Sequence, residues 1–199
     1  SFGKRVKASE NSGFANPGLS LGAALNYQVY KNLGVISQIL YQNHQIDNYR
    51  YKKDLLLENS SNSYSIQTGG WNNFSLMFGV NAIFYIDDNL TLQPKVMLGA
   101  NYAQSPKINL SINDSTNHIS IIEQSTAKSF AFCFLLGLDV KIDLIHNHYL
   151  ILGTEFFNAD MFFDKVLVKD FTNDSSAYHR FKQPVQTGLI KVGLGFRIK

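Results

Sequence analysis

The sequence predicts an all-β fold: an eight-stranded antiparallel transmembrane β-barrel with short periplasmic turns and long extracellular loops, formed as one domain over residues 1–199. Three observations predict it. Apolar residues recur at every second position through most of the 199-residue chain, the period of a strand with one apolar face. Tight connections alternate strictly with long ones. The apolar content is high, 45% hydrophobic and 13% aromatic, yet mean hydropathy is only −0.10. The longest apolar run, Phe130–Leu138, stops at Asp139 and falls far short of the ~20 residues a spanning helix needs. A helical membrane protein is thereby excluded, whereas a barrel spreads its hydrophobicity through alternation.

The elements follow in order. Phe2–Ser9 is short, but Val6 and Ala8 against Arg5, Lys7 and Ser9 read as a first strand. Leu19, Leu21, Ala23, Leu25, Tyr27 and Val29 then alternate with Ser20, Gly22, Ala24, Asn26 and Gln28. A Lys31-Asn32 turn leads to Leu33, Val35, Ile39 and Tyr41 opposed by Gly34, Gln38, Gln42 and His44; Ile36 and Leu40 blur this strand. In Asn73–Ile86 the apolar face is Phe74, Leu76, Phe78, Val80, Ala82, Phe84 and Ile86. After Asp87-Asp88-Asn89 the alternation resumes at once from Leu90 to Tyr102, a β-hairpin signature. Phe130–Leu144 alternates with Ala131, Cys133, Gly137, Asp139, Lys141 and Asp143, and a turn at Ile145–His148 leads into Tyr149–Asn158. Gln186–Lys199 closes the set, with Ile190, Val192, Leu194, Phe196 and Ile198 on one face.

The connections near Asp47–Asn72, Gln104–Lys128 and Ala159–Pro184 are long and polar, a length uncommon within a compact soluble domain. They contain the apolar stretches Leu55–Leu57, Ile119–Ile122, Met161–Phe163 and Val166–Val168. Strands projecting beyond a bilayer, or a partner, would account for these, and Ile108–Ile112 against His118–Ile122 reads as a hairpin.

Three features turn the apolar face towards lipid. Gly22, Gly79, Gly99, Gly137, Gly153, Gly193 and Gly195 lie on the other face, as the narrow interior of an eight-stranded barrel requires. The middle hairpin keeps its apolar face for ~13 residues, which at ~3.4 Å per residue and ~40° tilt projects to ~30 Å, enough for a band of ~25 Å. Tyr27, Tyr41, Phe74, Phe84, Tyr102, Phe130 and Phe196 sit towards strand ends, where interfacial girdles form. A soluble lipocalin-like binding barrel is the alternative, but its exterior would need more charge than 17% of residues supply.

Segments such as Asn89–Ala103, Asn16–Gln42 and the closing Val192–Lys199 resemble the small outer-membrane β-barrel proteins of Bacteroidota, which share their architecture with the OmpA transmembrane domain and OmpX. The resemblance implies a bacterial outer-membrane location, with both termini in the periplasm and lipid and lipopolysaccharide around the barrel. Ser-Phe-Gly-Lys-Arg is not followed by an apolar stretch, so a signal peptide is expected to have been removed already. Phe196 is followed by Arg-Ile-Lys, a departure from barrels that end on an aromatic residue.

The interior face carries Arg5, Lys7, Lys95, Lys141, Lys191 and Arg197 against Asp139, Asp143 and Glu155. Charges in so narrow a space are expected to interleave in a structural polar network, with Lys95 as counter-ion for Asp139 or Glu155. A selective pore is the other reading of this set. The net charge of +3 is scattered, giving nucleic acid no support, and a lone Cys133 excludes an intrachain disulfide or a CxxC motif. His146 and His148 have no third ligand near them in sequence, and His44, His118 and His179 accompany no recognisable nucleophile motif. No catalytic, cofactor or metal site is expected. The expected role is structural or interactive, as an accessory subunit of a larger outer-membrane complex for secretion, uptake or barrel assembly. The alternatives are an autonomous OmpX-like surface protein for adhesion or ligand binding, a small pore, or a lipid-A-modifying barrel enzyme.

Overall fold

The computed structural model describes residues 15–58, 63–113, 119–144 and 147–197. Its elements are β1 (Leu19–Tyr30), β2 (Leu33–Gln45), α1 (Asn48–Glu58), β3 (Ser63–Thr68), β4 (Gly70–Ala82), β5 (Phe84–Asp87) and β6 (Leu90–Gln104). There follow β7 (Ile108–Asn113), β8 (Ile119–Gln124), β9 (Lys128–Asp143), β10 (His148–Asp170) and β11 (Ser175–Phe196). Every pairing is antiparallel, in the order β1-β2-β4-β6-β9-β10-β11, with β5 continuing β4 alongside β6. The fold is all-β, as the alternation requires. Among the described residues β1 and β11 do not pair with each other, so the sheet is not closed.

The alternation becomes two surfaces. On β2, Leu33, Val35, Ile39 and Tyr41 are exposed while Gly34, Ile36, Gln38, Leu40, Gln42 and His44 are buried. Ile36 and Leu40, which blurred the strand in sequence, point inward into the core. The same split holds on β6, where Lys95 and Met97 are buried beneath exposed Val96 and Leu98. The sheet curls so strongly that non-neighbouring strands touch through their inner faces. Gln38 Nε2 on β2 donates to Glu155 Oε2 on β10 at 3.3 Å, although a flat sheet would hold strands four spacings of ~4.8 Å apart at ~19 Å. Asn26 Nδ2 on β1 likewise reaches Gln93 Oε1 on β6 at 3.3 Å.

Three expectations are revised. The structure has eleven strands where the sequence predicts eight; the predicted first strand, Phe2–Ser9 with Arg5 and Lys7, lies outside the described residues, as do His118, His146, Ile198 and Lys199. The predicted long connections are largely ordered secondary structure. Asp47–Asn72 contains α1 and β3, and Gln104–Lys128 contains β7 and β8, paired from Ile108↔Gln124 to Asn113↔Ile119 as the alternation there suggests. The third long connection is a continuation of the sheet: β10 and β11 run on as one ladder to Asp170↔Ser175, past a bulge at Asp164 and Lys165. The bulge absorbs the period error that hid the strand in sequence, since Phe163 and Val166, three apart, both point inward. Above the point where β9 ends, β10 pairs instead with β8, building the strip β10-β8-β7-β3 at the loop end.

The β10–β11 hairpin tip is organised by one carboxylate. Asp170 Oδ1 accepts from the Thr172 backbone N–H at 2.9 Å, and Oδ2 accepts from Asn173 Nδ2 at 2.7 Å. The Asn173 side-chain bond first, then the Thr172 backbone bond, hold the Asp170 pKa below its ordinary value. A depressed carboxylate pKa contributes stability above the unfolded value of ~3.9, lost as pH falls through the lower folded value. Amide exchange at Thr172 and Asn173 is therefore expected to accelerate relative to the rest of the hairpin only below pH ~4, and not at all in an Asp170→Ala variant, which lacks the acceptor and whose exchange is already fast.

Candidate functional site

The interior is built in layers that can be followed along the strands from the tight-turn end upward. At the bottom, Arg197 makes two bonds to Asp143, 2.8 and 2.7 Å from its Nη2 to the two carboxylate oxygens. Lys141 Nζ lies 4.8 Å from the centre of the Tyr149 ring. One level up is a four-charge cluster. Lys95 Nζ is 2.5 Å from Glu155 Oε1 and 3.3 Å from Asp139 Oδ2, and Lys191 Nζ bridges the same two carboxylates at 2.7 and 2.8 Å. Gln38 completes it, its Oε1 accepting from Lys95 at 3.1 Å.

Neighbouring strands place these groups together. Gly137 stands beside Glu155 and beside Lys95 in the ladder, and a Cβ there would lie 2.6 Å from Lys95 Cε. Gly153 faces Asp139 and Lys191 in the same way, with Lys191 Cε 2.8 Å from where its Cβ would stand. The glycines leave room for long charged side chains to lie across the sheet. The Lys95 side chain is only 1% exposed, and two acids balance two bases. Such balance is what lets charge persist in a poorly solvated interior.

Above the charges the interior becomes apolar, which the sequence reading of a polar lumen did not anticipate. Met77, Met97, Leu135 and Phe157 are completely buried. Met77 stands opposite Gly99 and Gly79 opposite Met97, so each methionine fills the space its partner glycine leaves. A second polar layer follows, in which Ser75 Oγ donates to Asn101 Oδ1 at 2.8 Å. At the loop end Trp71, Phe163 and Phe181 form a cap, with Phe163 and Phe181 stacked at 5.0 Å and Trp71 edge-on to Phe163 at 5.7 Å.

The Met–Gly exchange yields a test. A Cβ on Gly99 would run into the Leu76 backbone carbonyl, which has no rotamer through which to retreat. Gly99→Ala is expected to cost about 1–3 kcal/mol in urea unfolding. At Gly193 the nearest atoms to a Cβ are 3.9 Å away, so Gly193→Ala should change stability by less than about 0.5 kcal/mol.

Of the residues singled out in sequence, Lys95, Asp139, Glu155 and Lys191 converge, Asp143 and Arg197 pair separately, and Lys141 rests on an aromatic ring. Gln38 was missed, though its place on the inner face of β2 was legible. The aromatic cap was missed because Trp71 precedes the predicted strand, and Phe163 and Phe181 fall within the predicted loop Ala159–Pro184. Cys133 is buried on the inner face of β9. The His44 ring meets the Asn16 carbonyl, with Nδ1 3.2 Å from its oxygen. Among the described residues no group of three or more His, Cys, Asp or Glu side chains is placed to hold a metal ion. Chemically the arrangement is a self-neutralised charge layer between ordered strands, sealed by sulfur, aliphatic and aromatic side chains. No family model, no curated protein and no solved structure matches this chain.

Proposed function

We propose that the chain is an integral protein of a bacterial outer membrane, an eight-stranded antiparallel barrel whose role is structural or interactive, as a subunit of a larger outer-membrane assembly. One observation carries the reading: the surface is inside out relative to a water-soluble sheet protein. Leu25, Tyr27, Phe78, Leu98, Phe132, Ile190 and Leu194 are each at least 60% exposed, while Lys95, Asp139, Glu155, Asn101 and Gln42 are buried. Exposing contiguous apolar area of this kind to water is strongly unfavourable, and exposing it to hydrocarbon is not.

Parity supports closure by an eighth strand. The seven long strands β1, β2, β4, β6, β9, β10 and β11 alternate in direction, so β1 and β11 run the same way and cannot join as an antiparallel pair. An eighth long strand between them would make the number even and satisfy both edges, which lipid requires; Phe2–Ser9, the candidate the sequence offers for it, lies outside the described residues. The methionine and aromatic layers support a closed interior over a pore. An autonomous surface-binding barrel is the second reading, favoured by the strip β10-β8-β7-β3 with α1 against β3 at the loop end.

The test uses the protein in its own membranes. It should fractionate with outer membranes, migrate differently on gels before and after heating, give no conductance steps in planar bilayers, and purify in mild detergent with a constant set of other membrane proteins. Recovery in the soluble fraction without heat-modified migration would overturn the membrane reading. Recovery alone, in constant yield, would favour the autonomous one.

A further inference from the structure

We propose that the outward face of β10 and β11 is a self-complementary interface through which two copies of this chain associate within the membrane. The proposal rests on the membrane-spanning reading above. On β1, β4, β6 and β9 the outward positions between the ends of the apolar face are uncharged and almost wholly apolar, and on β2 only Ser37 interrupts them. β10 and β11 differ. Their outward positions include Thr154, Asn158 and Asp160 on one strand and Lys182, Pro184, Gln186 and Gly188 on the other. Asn158 stands opposite Gln186 and Asp160 opposite Pro184 in the ladder. Lys182 Nζ donates to Asp160 Oδ2 at 2.6 Å, and both side chains remain about half exposed.

These groups lie beside the apolar surface and not beyond it. Asn158 is the ladder partner of Phe134 on β9, and the next outward residue of β9, Phe132, is 89% exposed. Further along β10 itself, Phe162 faces outward at 62% exposure. Next to the polar row is a hollow of about 490 Å³ lined by Leu136, Leu138, Thr154, Phe156, Gln186 and Gly188. Ile190, 90% exposed, projects beside it.

Hydrocarbon supplies no hydrogen-bond partner for the two amides and no solvation for the Lys182–Asp160 pair, so an acyl chain could fill the hollow but would leave the amides unmet. A second copy meets both. An isologous contact brings the same patch to itself, and this patch complements itself in charge and shape. It holds one acid and one base, its amides each donate and accept, and it places a projecting Ile190 next to a hollow floored by glycine. Across a two-fold axis the Ile190 of each copy enters the hollow of the other, and Asn158 and Gln186 find amides opposite.

Disulfide trapping in phospholipid vesicles tests this. In a Cys133→Ala background, Gln186→Cys is expected to give oxidised dimer several-fold above Leu76→Cys, which lies outward on β4. Adding Gly188→Trp to the Gln186→Cys protein should fill the hollow and return the yield to the Leu76→Cys level while heat-modified migration is retained. Equal yields at positions 186 and 76, or a dimer indifferent to Gly188→Trp, would overturn the interface. Absence of vesicle insertion and of heat-modified migration would instead overturn the membrane reading on which it stands.

Discussion

Removing residues 2–9 is expected to abolish heat-modified, protease-resistant folding in membranes altogether, while leaving expression and export unchanged. An eighth strand, for which this segment is the candidate the sequence offers, would serve β1 and β11, strands of 12 and 22 residues whose outer edges have no partner among the described residues. Each backbone group left unpaired in hydrocarbon costs several kcal/mol, so a handful of open positions exceeds the whole stability of about 5–15 kcal/mol that a domain commands. A milder variant grades the effect. Val6→Pro would deny such a strand one ladder hydrogen bond and should fold with a lowered urea midpoint. A deletion variant that folds like the parent would overturn the eighth strand without touching the assignment of inner and outer faces.

Lys95→Met should lower stability by about 3–5 kcal/mol, the usual cost of stranding one side of a buried ion pair. Lys95 contacts Glu155, Asp139 and Gln38 at once. Its removal leaves two carboxylates sharing Lys191, and a net negative charge in a layer roofed by Met97, Leu135 and Phe157. The double variant Lys95→Met/Glu155→Gln leaves Asp139 with Lys191 and restores neutrality. It should therefore be more stable than the single variant, with a coupling of at least about 1 kcal/mol in the mutant cycle. Additive losses would show that the cluster is hydrated enough for its charges to act independently. Urea unfolding from lipid vesicles followed by tryptophan fluorescence reads both variants, because Trp71 sits in the cap above the core.

How far the residue order reaches can be judged element by element. Period-two alternation places Phe74–Ala82 and Leu90–Tyr102 on a hairpin and assigns their faces without ambiguity, because a slip of one residue would reverse every side chain. The charges of the cluster are legible too, since all four sit on inner-face positions of long, regular strands. What escaped was whatever depends on curvature or on a break in period. The bulge at Lys165, where φ is 58°, disguised the upper half of β10 as a polar loop. α1 was unreadable because Asn48–Glu58 has a weak amphipathic pattern; its start is marked only by Asp47, whose carboxylate accepts from the Arg50 N–H at 3.0 Å.

Alternation and turn spacing thus set the all-β class, the strand pairing between neighbours and the face on which each side chain lies, because these depend on local period. Which distant strands meet is set by the curl of the sheet. That curl brings Gln38 to Glu155 across three intervening strands and gathers Trp71, Phe163 and Phe181 into one cap. No local period encodes such contacts: they arise from accumulated twist, and only the folded chain reveals that the inner face is charged below, apolar in the middle, polar again at Ser75 and Asn101, and aromatic at the top.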